Sequence, residues 1–352
     1  MTNPLLQKWS TPFEMPPFED IQAAHFPEAF NQALSHHQHE IQAIASQKQA
    51  PSFQNTLLAL EASGELLNQT SALFFNLSAS HTSPEIQAIE RDMSPKLAAH
   101  SAAMFLNAAL FERINKLHQE RTNLGLDAES IRLIERYHLD FVRAGANLKD
   151  KDRQTFANYS EKLASCFTQF SQNVLADEAA FCLVLTEADQ LKGLPDFVKS
   201  AAKQLAKERG LEQHNAHAFT LSRSSITPFM TFSERRDLRE SMWLAWCKRG
   251  ENPGAHNNET VMKEILKIRL AQARLLGYQN FSEYALADTM AGSAANARDL
   301  LMRVWTPARL RAIQEREDLK MLSGLSDLAA WDWHFWTERV RKEKFDLNEA
   351  EL

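Results

Sequence analysis

Apolar residues recur at three- and four-residue steps along much of this chain, the spacing that places them on one face of an α-helix. Ile131, Ile134, His138, Phe141 and Val142 share one such face, while Glu135, Arg136 and Asp140 point elsewhere. Val261, Ile265, Ile268, Leu275 and Leu276 form another, and Gly277 follows where a left-handed residue would stop the helix. Each helix has one face to bury, and antiparallel neighbours offer the simplest cover. One region departs from this period. Phe181 to Thr186, FCLVLT, and His217 to Ser222, HAFTLS, are short and apolar, with β-branched Val184 and Thr186 in the first. They predict a small two-stranded antiparallel element, with a helix over Pro195 to Arg209 between its strands. Thr227 to Met230, with Pro228 inside, opens the next helix, which contains Glu234 to Lys248.

The remaining boundaries come from helix breakers. Residues 1–20 hold Pro4, Pro12, Pro16 and Pro17, four of the chain's 12 prolines, and proline removes an amide donor and clashes with the preceding turn. They predict an extended arm lying across helices further on. Gly250 to Asn258 reads as a loop, and Ser323 to Asp327 as a turn between a charged helix, Pro307 to Leu322, and a Trp-rich terminal helix. The expected fold is mainly α, a multi-helix assembly over residues 21–352 with a small inserted β-hairpin. Only 10 glycines in 352 residues, with abundant Ala, Leu, Glu, Gln and Lys, point the same way.

Composition excludes several function classes. With a formal net charge of -6 and interspersed signs, the chain lacks the basic footprint of a nucleic-acid binder. No apolar stretch has the length needed to cross a bilayer, and the first residues are not a basic region followed by an apolar run, so a cytoplasmic protein with no membrane partner is expected. Cys166, Cys182 and Cys247 are odd in number and far apart, which argues for free thiols. Sequons such as that at Asn68 or Asn76 have no secretory context to act in.

No complete catalytic constellation is legible. The closest glycines, Gly250 and Gly254, allow neither a dinucleotide loop nor a phosphate loop, and no G-x-S-x-G elbow occurs. A one-helix zinc site needs two imidazoles one turn apart, and none of the 12 histidines stands four residues from another. His36 and His39, with Glu40, come nearest, and read as solvated surface residues with at most a weak adventitious nickel or zinc site. His214 and His217 point in unrelated directions, and His138 reads as a hydrogen-bonded core histidine. Asp332, Glu338, Glu343, Asp346 and Glu349 alternate with Arg339, Arg341, Lys342 and Lys344, which predicts a solvated or interdomain face. Trp331, Trp333, Phe335 and Trp336 read as packing anchors, and Trp243 and Trp246 as a core stripe.

Four segments carry a family resemblance: PSFQNTLLALEASGELL from Pro51, LGLDAESIRLIE from Leu124, LLGYQNFSEYALADTMA from Leu275, and WDWHFWTERVRKEKFDLNEAEL from Trp331. They resemble, in order and separation, bacterial peptidyl-dipeptidases (dipeptidyl carboxypeptidases) of the thimet oligopeptidase family of zinc metallopeptidases. The resemblance implies a helical, two-lobed fold around a channel that admits short unfolded peptides. It also implies zinc held by the two histidines of H-E-x-x-H and a later glutamate, with dipeptides released from the peptide C-terminus. No H-E-x-x-H occurs among these 352 residues, so no catalytic, metal or substrate-binding residue is carried over to any position. The expectation is the amino-terminal half of such an enzyme, without the C-terminal zinc catalytic region: it would form part of the channel, hold no zinc itself and be inactive alone. Its partners would be short peptides and the C-terminal catalytic half, and an uncovered apolar patch should mark where that half packs. The alternatives are a stand-alone peptide-binding or regulatory module, and one half of a two-chain peptidase.

Overall fold

The computed structural model describes residues 3–211 and 215–346. Its helices are α1 (Phe26–Ala45), α2 (Glu65–Ser80), α3 (Pro84–Phe105), α4 (Ala108–Glu120), α5 (Ala128–Arg143), α6 (Asp150–Ala180), α7 (Asp196–Glu208), α8 (Arg223–Phe232), α9 (Arg236–Cys247), α10 (Glu259–Leu275), α11 (Phe281–Leu286), α12 (Ala294–Ser323) and α13 (Trp333–Phe345). Two strands, β1 (Leu183–Leu185) and β2 (His217–Phe219), pair antiparallel in the register Leu183↔Phe219, Val184↔Ala218 and Leu185↔His217. The fold is thus mainly α with one small hairpin, its strands shorter than the six-residue apolar runs that announce them. The chain divides into two units, Met1–Gln169 with Val261–Ala285, and Phe170–Thr260 with Leu286–Leu352.

In the first unit the core begins where α1 meets α2. Phe74 packs edge-on against Phe26 and Phe30, with ring centroids 5.1 and 5.3 Å apart. Leu5, inside a 3-10 turn opened by Pro4, is buried in the same cluster. A second cluster joins Ile41 and Ile44 of α1 to Leu110 and Ile114 of α4 and Phe141 of α5. The periodic face predicted for α5 is the one that packs: Ile134 and Phe141 are fully buried. Side-chain oxygens start these helices, Ser83 accepting from the Ile86 amide, Asn107 from Leu110 and Asp127 from Ser130. Gly277 does take the left-handed conformation, φ +86°, after α10.

The segment beginning at Pro51 has a structural role. Ser52 and Asn55 cap one another reciprocally at the start of a π-helical turn, Phe53–Leu58. The buried Arg113 of α4 then donates to the carbonyls of Gln47 and Gln49 and to Asn55 Oδ1 and Thr56 Oγ1, at 2.8 to 3.2 Å. All four acceptors are neutral, and burial lowers the guanidinium's pKa.

The second unit is built around Leu185, Leu194, Val198, Phe219, Phe229 and Met242, against which Trp243, Trp246 and Trp331 pack. Pro228 does not open its helix: α8 starts at Arg223, and the proline sits at its sixth position. There it costs one intrahelical bond, and the chain breaks at Ser233 before α9 begins.

The larger correction concerns the acidic run near Trp331. Asp332 is not on a solvated face; it is wholly buried just before α13. Its carboxylate accepts from Arg236 at 2.8 to 3.2 Å, from Arg239 Nη2 at 3.0 Å and from the Ala329 amide at 3.1 Å. Burial alone would raise this carboxyl, but the guanidiniums and the amide outweigh it and hold the pKa below its usual value. Arg239 is itself buried, donates to the carbonyls of Ser233 and Trp331, and lies 4.1 Å over the Phe335 ring. Glu338 is buried as well, and Glu349 lies outside the described residues. Removing one partner of such a group leaves an uncompensated buried charge. Asp332→Ala is therefore expected to lower the unfolding free energy by about 3–5 kcal/mol in urea titration, whereas Ala at the exposed Asp327 should change it by less than about 0.5 kcal/mol.

Candidate functional site

The histidines are the chain's richest supply of catalytic or metal-binding chemistry, and the structure sorts them differently from the sequence. His36 and His39 lie exposed on α1, and His36 Nδ1 stands 3.6 Å from Glu40 Oε1. Among the described residues no group of three or more His, Cys, Asp or Glu side chains is placed to hold a metal ion, so the donors present do not fit a zinc of the kind the resemblance implies. His217 is buried in β2, and His214 lies outside the described residues.

Two histidine pairs form instead, both in the first unit. His138 Nε2 meets Asn115 Oδ1 at 3.1 Å, and its ring stacks on His118 with centroids 3.9 Å apart and planes 6° from parallel. His37, between the two histidines weighed above, is half-buried and meets His100 of α3, Nδ1 to Nε2, at 2.9 Å. Burial lowers the pKa of all four imidazoles, with Arg121 adding to the effect at His118 and His138. Sequence spacing gives no sign of either pair, since the partners come from different helices.

The first unit also holds an open cavity of about 510 Å³ among α3, α5, α6, α10 and α11. Phe105, Phe156 and Phe167 make much of its wall, with Asp140, Arg143 and Gln272 as polar groups. These polar groups are engaged: Asp140 pairs with Arg136, Gln272 donates to Ser160 Oγ at 3.1 Å, and Arg143 donates to the Tyr284 carbonyl at 2.9 Å. Tyr284 returns a hydrogen bond from its hydroxyl to the Arg143 carbonyl. The arrangement can accept an apolar group; it contains no nucleophile paired with a base.

In the second unit the unusual feature is α12. Ser293 caps its start and Gly324, at φ +67°, ends it. Every residue from 298 to 317 is exposed, on all faces, although the run includes Leu300, Leu301, Met302, Val304, Trp305, Leu310 and Ile313. Leu301 and Trp305, one turn apart, are 68% and 58% exposed. An apolar surface of this length is far more than scattered surface hydrophobics produce. Near its C-terminal end the helix finds cover, where Leu319 is buried and Asp318 accepts from Lys344 of α13 at 2.6 Å.

Comparison with known proteins finds relatives along the whole of this chain. Residues 229–352 match Peptidase family M3. Across 355 aligned residues the chain is 36% identical to a dipeptidyl carboxypeptidase of Salmonella typhimurium, an alignment covering 100% of this chain and 52% of the relative. It is 35% identical to the dipeptidyl carboxypeptidase of Escherichia coli, over 99% of this chain and 52% of that protein. Oligopeptidase A of Escherichia coli is 27% identical over 100% of this chain and 52% of its own length. The chain spans about half the length of these curated relatives. Residues 229–352 thus match Peptidase family M3, and similarity to dipeptidyl carboxypeptidases runs along the whole of this chain.

Proposed function

We propose that these 352 residues are the channel-forming amino-terminal half of a cytoplasmic zinc peptidyl-dipeptidase, and that zinc and catalysis are supplied by other polypeptide, joined to them or separate. The observation that carries this reading is α12, a 30-residue helix whose apolar side chains between Leu300 and Ile313 stand in solvent. A helix that is apolar on several faces belongs in an interior. The curated relatives are about twice as long as the stretch they share with this chain, so they contain polypeptide enough to cover it. The donor set agrees with the proposal, because the 352 residues contain no H-E-x-x-H. Their contribution is binding and shape: helices that limit access to unfolded peptides, and apolar walls against which a peptide side chain can rest.

The alternative of a stand-alone peptide-binding module differs in one respect, since it would bind peptide without needing a second part. The purified chain is expected to show no chelator-sensitive hydrolysis of short blocked peptides, with or without added zinc. Combined with a family segment carrying H-E-x-x-H, it should release dipeptides from the C-terminal end in a chelator-sensitive way. Hydrolysis by the 352 residues alone, abolished by chelator, would overturn the proposal. Trp305→Ser is expected to change the unfolding free energy by less than about 0.5 kcal/mol, because an exposed side chain loses little packing. The same substitution should reduce self-association and hydrophobic-dye binding, measured by sedimentation and fluorescence.

A further inference from the structure

The His37–His100 contact is part of a longer hydrogen-bond chain whose direction the atoms determine. The Ser63 hydroxyl has one hydrogen, and it goes to the Leu60 carbonyl at 2.7 Å. Ser63 Oγ must therefore accept from His37 Nε2, 3.3 Å away. With its hydrogen on Nε2, a neutral His37 has only a lone pair on Nδ1, and this receives the Nε2 hydrogen of His100 at 2.9 Å. The sequence of donors runs one way, from His100 through His37 and Ser63 to the Leu60 carbonyl. It fastens α3 to α1 and α1 to the turn before α2. Gly64 completes the turn: its amide donates to Glu40 Oε2 at 2.9 Å, and a Cβ there would lie 3.2 Å from the His37 ring.

This geometry limits how many protons the pair can hold. His100 Nδ1 has no hydrogen-bond partner among the described residues, so a first proton can settle there and leave every bond intact. A second has only His37 Nδ1 to go to, where N–H would face N–H. We propose that the His100–His37–Ser63 chain is a proton-sensitive clasp, which holds α3 against α1 with up to one added proton and opens when a second arrives. Opening would widen a cavity of about 520 Å³ that His100 lines together with Leu34, Ile41 and Met104.

The surrounding charges are few. From α1, Glu40 favours a proton on His37 and His36 opposes one, with burial the larger effect. From α3, burial and then His37 lower the pKa of His100, and Lys96, one turn earlier, is paired with Asp92 at 2.7 Å. The turn before α2 presents the uncharged Ser63 and Gly64, flanked by exposed Glu61 and Glu65. Because both folded-state pKa values lie below the ordinary one, the folded protein binds fewer protons than the unfolded chain. The clasp's contribution is therefore complete above about pH 6.5 and is lost as pH falls below it.

Hydrogen exchange of the whole 352-residue chain, corrected for intrinsic rates, tests the clasp between about pH 7.5 and 5. The amides of α3 and of residues 60–64 are expected to lose protection by about tenfold or more on acidification. His100→Gln, whose amide can donate to a neutral His37 and turn its oxygen to accept from a protonated one, should keep them protected across the range. Protection of α3 that ignores pH in the wild type, or a His100→Gln curve that follows the wild type, would overturn the proposal. Should that variant fail to fold, imidazole NMR of the unaltered chain decides. Two separated steps for His37 and His100, both below ordinary histidine, support the clasp, and a single step at the ordinary midpoint sinks it.

Discussion

A carboxylate with no access to water persists in a protein only when charged donors surround it, and Asp332 shows how much structure can hang on that constraint. Arg236 and Arg239, one turn apart on α9, reach it together, and Arg239 extends the hold through the carbonyls of Ser233 and Trp331 and the face of Phe335. The bracket ties the approach to α13 against α9 and places Trp331 on the unit's core. Asp332 thus belongs to the packing of a segment that lies within the family match. With α13 held in this way, the C-terminal turns of α12 are covered and the twenty residues before them are not.

The two units use their polar groups in opposite ways. In the second, a buried carboxylate remains ionised because guanidiniums compensate it. In the first, Arg113 satisfies four neutral acceptors, and the paired imidazoles His37–His100 and His118–His138 lie where burial opposes their charge.

Local patterning made much of this legible in advance. The three- and four-residue period of Ile134 and Phe141 marks the buried face of α5, Gly277 stops α10 in the conformation expected of it, and the hairpin lies inside the two apolar runs that announce it. The misreadings arise where tertiary contacts decide. Asp332 stands in an alternating run of charges whose pattern is that of a solvated face, and only the return of α9 from almost a hundred residues earlier makes it a core residue. His37 looks no different from His36 or His39 until α3 brings His100 beside it, 63 positions away. Pro228 suggests a helix start, yet the stretch from Arg223 is helical through it. The missing H-E-x-x-H is a fact of the string, and it directs attention from chemistry to surface.

Central to the proposed function is that α12 is a surface to be covered by polypeptide that carries H-E-x-x-H. Amide exchange across residues 298–317 measures this directly, in the 352-residue chain and in the same chain joined to a family segment that carries H-E-x-x-H. Rapid exchange in the first and protection higher by orders of magnitude in the second is the result the account predicts. Equal exchange in both would contradict it, and would mean that the exposed leucines and Trp305 serve some other contact.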